Sequence, residues 1–215
     1  MIIAIDGTSA SGKGTIAKRL AAWFGLPHMD TGRLYRAVGV AALKAGADFE
    51  DAAALSQIAR ALDLNDFEDE ELRTADAAQA ASKVARVPEV REALFQLQRA
   101  FATQAKGAVL DGRDIGTVIA PDADAKLWVT ASLAERARRR HAELISEGKY
   151  LTIADVEKDL SERDARDAAR RDAPAKLAED AVLIDTTDLT IDAAVDQARA
   201  VVETALSTKQ SASER

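Results

Sequence analysis

Nine consecutive residues near the start of the chain, Gly7-Thr8-Ser9-Ala10-Ser11-Gly12-Lys13-Gly14-Thr15, have the types and spacing to hold a phosphate chain. Glycines at 7, 12 and 14 allow tight backbone turns that bring N–H groups against phosphate oxygens. Lys13 can bridge the β- and γ-phosphates, and Thr15 offers a hydroxyl at the nucleotide or metal end. Such a loop needs a strand before it and a helix after it. Both are expected: residues 1–5 are an apolar run ending in Asp6, and residues 13–24 are amphipathic. The helix adds its positive N-terminal end to the anion site.

A phosphate loop gives nucleoside-triphosphate binding but not the reaction. An Asn-Lys-x-Asp stretch, which a guanine-reading switch would show, is absent, and a motor or helicase would need a longer chain. Kinase chemistry requires a second anion site and positive charge over the transferring group, because its catalysis is mostly positioning and electrostatics. Three further groups have that character. Asp30-Thr31-Gly32-Arg33-Leu34-Tyr35-Arg36 opens a helix, with Thr31 placed to cap it and Arg36 about one turn along. Asp111-Gly112-Arg113-Asp114 follows an apolar strand at its carboxyl end, where ligands bind in open α/β sheets. Asp111 could orient hydrated Mg²⁺ there, and Arg113 could hold a phosphate. Arg163, Arg166, Asp167 and Arg170 fall on one face of an expected helix, three guanidiniums and one carboxylate together. Beside a phosphate loop this face reads as functional rather than as a self-paired solvated surface. Neither His28 nor His141 stands in a catalytic context; both read as structural or exposed.

The elements that must position these groups follow from periodicity. Strand character recurs at 1–5, 27–30, 108–111, 126–130 and 181–185. Helical spacing covers 13–24, 31–45, 52–62, 75–85, 90–101, 132–147, 152–173 and 191–206. Ser132 with Glu135 has capping-box spacing, and Thr152 can cap the next helix. Residues 62–74 are acidic and read as irregular, and 207–215 as a disordered polar tail. Strands separated by helices indicate an α/β fold with a doubly wound parallel sheet.

Composition narrows the class further. The chain has 215 residues and a net charge of −7, which argues against polymeric nucleic acid as the main partner. Its arginines nevertheless cluster, at 136–140 and 163–171, which suits a small polyanion in a cleft. Cysteine is absent, so thiolate metal sites and disulfides are excluded. No apolar stretch approaches the ~20 residues that span a bilayer, and the N-terminus has no basic leader, so the expected location is the cytoplasm. No long apolar stripe lacks a core role, which favours a monomer.

Taken together and in order, these motifs resemble the bacterial cytidylate kinases. The Gly-Lys-Gly-Thr form of the loop is the one nucleoside-monophosphate kinases use. Asp30-Thr31-Gly32 with Tyr35-Arg36, Val90-Arg91-Glu92-Ala93-Leu94 followed by Gln98-Arg99, Asp111-Gly112-Arg113-Asp114-Ile115-Gly116-Thr117 and the run at 163–170 match in spacing, over about residues 1–205. The resemblance implies a single P-loop kinase domain. Its CORE would be about 1–30, 106–147 and 173–206, with a helical NMP-binding insertion at about 31–105 and a short, mobile, arginine-rich LID at about 148–172. It implies MgATP as donor and CMP or dCMP as acceptor, with Ser82, Arg91 and Asp114 around the cytosine. Tyr35, Arg36 and Arg113 would lie near the acceptor phosphate, Thr31, where many members have Ser, would bind substrate, and Arg163, Asp167 and Arg170 would lie on the LID side. Cytosine chemistry agrees: an arginine can donate to N3 and O2, while Ser82 or Asp114 accepts from N4. Many members carry a longer, strand-rich insert where this chain has only residues 63–71. The rival readings are a kinase acting on UMP, AMP or a small alcohol, and a nucleotide-binding regulator without turnover.

Overall fold

The computed structural model describes residues 1–213. Five strands, β1 (Ile2–Gly7), β2 (His28–Asp30), β3 (Ala108–Gly112), β4 (Ala125–Thr130) and β5 (Val182–Asp185), form one sheet in the order β2-β3-β1-β4-β5. The β1–β3, β1–β4 and β4–β5 ladders are parallel, with Ile5 between Asp111 and Leu127. The central strands are near-continuous apolar runs because both faces of a parallel sheet are covered. On one face Ile3, Ile5, Val109, Leu127 and Val129 pack with Ile16 and Leu20 of α1 (Lys13–Phe24) and with buried small residues of the C-terminal helix. This is the α/β arrangement expected, and it brings the carboxyl ends of β1, β3 and β4 to neighbouring positions.

The chain divides into two compact units, Met1–Met29 with the chain from Ala102 onward, and Asp30–Phe101. The second unit is helical: α2 (Thr31–Lys44), α3 (Ala52–Arg60), α4 (Asp69–Leu72), α5 (Ala75–Val84) and α6 (Pro88–Ala102). Helices α2 and α5 approach closely at Gly39, where an added Cβ would stand 2.7 Å from the Ala80 Cβ. Residues 62–74 are more ordered than expected. They form a 3₁₀ turn, Leu64–Asp66, and the short α4, because Leu62, Leu64, Phe67 and Leu72 pack onto Ala37, Val40 and Ala77.

In the first unit, α7 (Leu133–Ser146) and α8 (Ile153–Ala168) pack through Ala137, Leu144, Val156 and Leu160. Thr152 and Asp155 complete a reciprocal capping box at α8. At α7 only half the box forms: Ser132 accepts from Glu135 N, whereas the Glu135 carboxylate turns to Arg138 and Arg139. Helix α8 ends at Ala168, so Arg170 lies beyond it rather than on its face. The last helix, α9 (Ile191–Ser213), also overruns its expected end. Through residues 207–213 the expected disordered tail is helical: hydroxyls of Ser207 and Thr208 bond the Thr204 carbonyl, and Lys209 pairs with Asp124. Glu214 and Arg215 lie outside the described residues.

Candidate functional site

The phosphate loop leaves the carboxyl end of β1 and enters α1 at Gly12, whose φ of 88° is left-handed. Gly7 has no room for a side chain, since a Cβ there would meet the Val129 carbonyl oxygen at 1.9 Å. Lys13 folds over the loop and donates to the Thr8 carbonyl at 3.3 Å. The Ser11 hydroxyl donates to the same carbonyl at 2.9 Å. Thr15 is exposed at the start of α1, one residue after Gly14.

Asp111, at the end of β3, is buried beside this loop. Its Oδ2 would lie 3.8 Å from a Cβ on Gly14, and its Oδ1 is 2.7 Å from His28 Nε2. Among the described residues no group of three or more His, Cys, Asp or Glu side chains is disposed to hold a metal.

The next residues build a charged cluster against the loop. Arg113 donates from Nη2 to the Ser9 hydroxyl at 2.6 Å and from Nε to Asp167 Oδ2 at 2.9 Å. Arg170 also pairs with Asp167. Burial pushes the Asp167 carboxyl upward, but Arg113, Arg170 and Arg163 outweigh it and hold it below the usual range. Nε of Arg166 and of Arg170 are buried without a hydrogen-bond partner among the described residues. The arrangement gathers several cations and one ionised acid at the phosphate loop, which is what a polyphosphate with a transferring group requires.

Asp114 follows, buried, at the head of a π-helical turn, Ile115–Ile119, that the sequence does not announce. Asp6 sets this turn by accepting from the N–H groups of Ile115 and Gly116, both at 2.8 Å. Its carboxyl is raised to about 7 because burial outweighs those two donors.

Within residues 30–101 the structure brings together Tyr35 and Arg91. The guanidinium carbon is 5.9 Å from the ring centroid, and Nη1 lies 3.3 Å from the hydroxyl. Arg36 pairs with Asp30 at 2.7 Å. Asp30, not Thr31, caps α2, accepting from Arg33 N at 3.2 Å. The cap sits one residue earlier than expected, and Thr31 becomes a buried first-turn residue. Ser82 on α5 is 6% exposed, not a surface serine, and its hydroxyl has no partner among the described residues. A buried, unpaired hydroxyl costs about 1–3 kcal/mol unless something meets it.

Several site residues escaped the sequence reading. His28 is not idle, since it fixes Asp111; the pairing joins residues 83 positions apart and leaves no local signal. Arg136 and Arg139 belong to an arginine run that reads as a helix face. In the structure Arg136 is buried against the Ser9 carbonyl, and Arg139 bonds Thr186, which in turn bonds the Ser11 carbonyl. His141 is half-buried and bonds the Leu151 carbonyl, as a structural residue would.

The cytidylate kinase family model matches residues 3–204. A cytidylate kinase of Methylocella silvestris is 56% identical, covering 95% of each chain. One of Caulobacter vibrioides is 53% identical over 95% of this chain and 96% of its own. Among solved structures, a gluconokinase from Sinorhizobium meliloti superposes with a TM-score of 0.51 at 14% identity, covering 94% of this chain and 91% of its own. An uncharacterized protein from Eubacterium ventriosum does so at 0.55 and 16%, covering 95% and 98%. At such identities these structures speak to the fold alone.

Proposed function

Because the chain belongs to the cytidylate kinase family, we propose that it transfers the γ-phosphoryl group of ATP to a phosphate oxygen of CMP or dCMP, giving ADP and CDP or dCDP. The observation that carries the reading is the cluster of Arg113, Asp167 and Arg170 bonded to Ser9 of the phosphate loop. Its cationic charge lies beside the phosphate loop, which supports stabilisation of a transferring terminal phosphate and weighs against a regulator without turnover.

Residues 7–15, through their amides and Lys13, hold the donor. Asp111, through water, and Thr15 would hold Mg²⁺, which when bound neutralises charge on the β- and γ-phosphate oxygens. The donor set fits: one buried carboxylate already fixed by His28, beside an exposed hydroxyl at the helix start. Arg113 and Arg36 bind the acceptor phosphate, with Thr31 and Tyr35 beside it. Arg163, Arg166 and Arg170 neutralise the equatorial oxygens of the transferring group and exclude water, and Asp167 orients Arg170. The acceptor phosphate is largely ionised near neutral pH, so no dedicated general base is needed.

Ser82, Arg91 and Asp114 read the cytosine edge. Uracil reverses the donor pattern at N3 and at position 4 and would leave buried groups unpaired. The buried, unpartnered Ser82 hydroxyl supports this assignment. We further assign residues of about 31–105 to acceptor binding and about 148–172 to a closing LID, on a CORE of about 1–30, 106–147 and 173–206, and we infer a cytoplasmic monomer. No helix among the described residues is long and apolar enough to cross a membrane.

Replacing Lys13 by Ala tests the loop. Turnover should fall about 100-fold or more, with an unchanged thermal midpoint. A near-normal rate would refute the assignment of Lys13 to the donor phosphates.

A further inference from the structure

Ser9 of the phosphate loop is held from two sides by arginines, each paired with an acid of α8. Its hydroxyl accepts from Arg113, which pairs with Asp167. Its carbonyl accepts from Arg136 Nη1 at 3.2 Å, and the same nitrogen donates to Asp164 Oδ2 at 2.6 Å. Arg136 is fixed a third time, Nε donating to the Ala131 carbonyl at 2.9 Å, and its side chain is 7% exposed. Asp164 and Asp167 are three residues apart, so both face the same way along α8. The neighbouring loop residue, Ala10, packs on the apolar seam of α7 and α8. It does so with a φ of 58°, a conformation an alanine keeps only when its surroundings impose it.

We propose that Arg136 and Asp164 are positioning residues for phosphoryl transfer: they lock α8 to the phosphate-loop backbone at Ser9 and so set where Arg163, Arg166 and Arg170 stand over the transferring group. The proposal rests on the kinase reading above. Arg136 commits Nε and Nη1 to two carbonyls and a carboxylate, so these donors are directed to protein. Asp164 is engaged by Arg136 through Oδ2. The pair acts through geometry, and a displacement of about 1 Å in a catalytic group can cost up to ~100-fold in rate. A purely structural salt bridge would show itself in stability alone.

The variants Asp164→Asn and Asp164→Glu separate these cases, read by kcat, by both KM values, by equilibrium ADP binding and by thermal midpoint. Asp164→Asn should lower kcat by ~10-fold or more, leave the ADP dissociation constant within ~3-fold, and melt well above the assay temperature. Asp164→Glu should restore most of kcat. Combining Asp164→Asn with Arg136→Lys should cost no more than the worse single change, because both break one linkage. The proposal is overturned by a kcat within ~2-fold of the parent, by a loss of ADP affinity equal to the loss of kcat, or by additive effects in the double variant. An unsubstituted protein with no CMP-dependent ADP formation would instead refute the kinase reading itself.

Discussion

His28 Nε2 stands 2.7 Å from Asp111 Oδ1, so a histidine on edge strand β2 fixes a buried carboxylate at the end of the adjacent strand β3. The other carboxylate oxygen, Oδ2, lies near Gly14 at the start of α1. Partners of this kind commonly change metal affinity or activity by about 10–100-fold when removed. His28→Leu should therefore raise the Mg²⁺ concentration for half-maximal rate by roughly 10-fold and leave the KM for CMP nearly unchanged. His28→Asn should fall between. Nucleotide binding measured with and without Mg²⁺ gives a second readout, in which only the Mg²⁺-dependent part weakens. An unchanged Mg²⁺ midpoint in His28→Leu would remove the histidine from the site.

Ser82 supplies a buried hydroxyl without a partner among the described residues. If it accepts from the cytosine amino group, Ser82→Ala loses one hydrogen bond to CMP and none to ATP. The KM for CMP should rise by about 5- to 100-fold, corresponding to ~1–3 kcal/mol, and the preference for CMP over UMP should shrink by a similar factor. Steady-state rates with both acceptors measure it. Equal losses on CMP and UMP would mean that the serine supports α5 and does not read the base.

Asp6 makes stability depend on pH in a direction opposite to carboxylates that arginines hold down, such as Glu135 and Asp167. Folded, its carboxyl titrates at about 7; unfolded, it returns to the ordinary 3.8. Between those values the folded protein holds a proton that the unfolded chain has released. Asp6 therefore subtracts stability progressively as pH rises from about 4 to about 7, up to about 4 kcal/mol in all. Asp6→Asn cannot ionise and should escape this loss. Urea unfolding at pH 5 and pH 8 should show the variant gaining on the parent protein as pH rises. Parallel pH profiles would contradict the burial-driven shift.

Much of the fold was legible because the sheet and its loops obey local rules. The glycine pattern of residues 7–15, the apolar runs of β1, β3 and β4, and the Thr152 cap of α8 each declare themselves within a few residues. What stayed hidden depends on partners distant in sequence. His28 acquires a role only when β2 is laid beside β3, and Arg136 only when α7 meets Ser9 of the loop. The segment at 62–74 looked irregular because its apolar residues are spaced for a small cluster on α2 and α5 rather than for a regular face. The π-helical turn after Asp114 follows from the Asp6 carboxylate, 109 residues away from the first N–H that it accepts. Only the resemblance to a family proposes Ser82, Arg91 and Asp114 for the base, since no local signal marks them; burial shows that Ser82 is not a surface serine.

The central claim is most directly tested by ADP formation from MgATP with CMP, dCMP, UMP, AMP or no acceptor, measured in parallel on the purified chain. The account predicts strong turnover with CMP and dCMP, weak turnover with UMP, and none with AMP or without acceptor. Turnover that preferred UMP or AMP would contradict the assignment of Ser82, Arg91 and Asp114 to cytosine. Failure of every acceptor to stimulate ADP release would contradict the kinase reading as a whole.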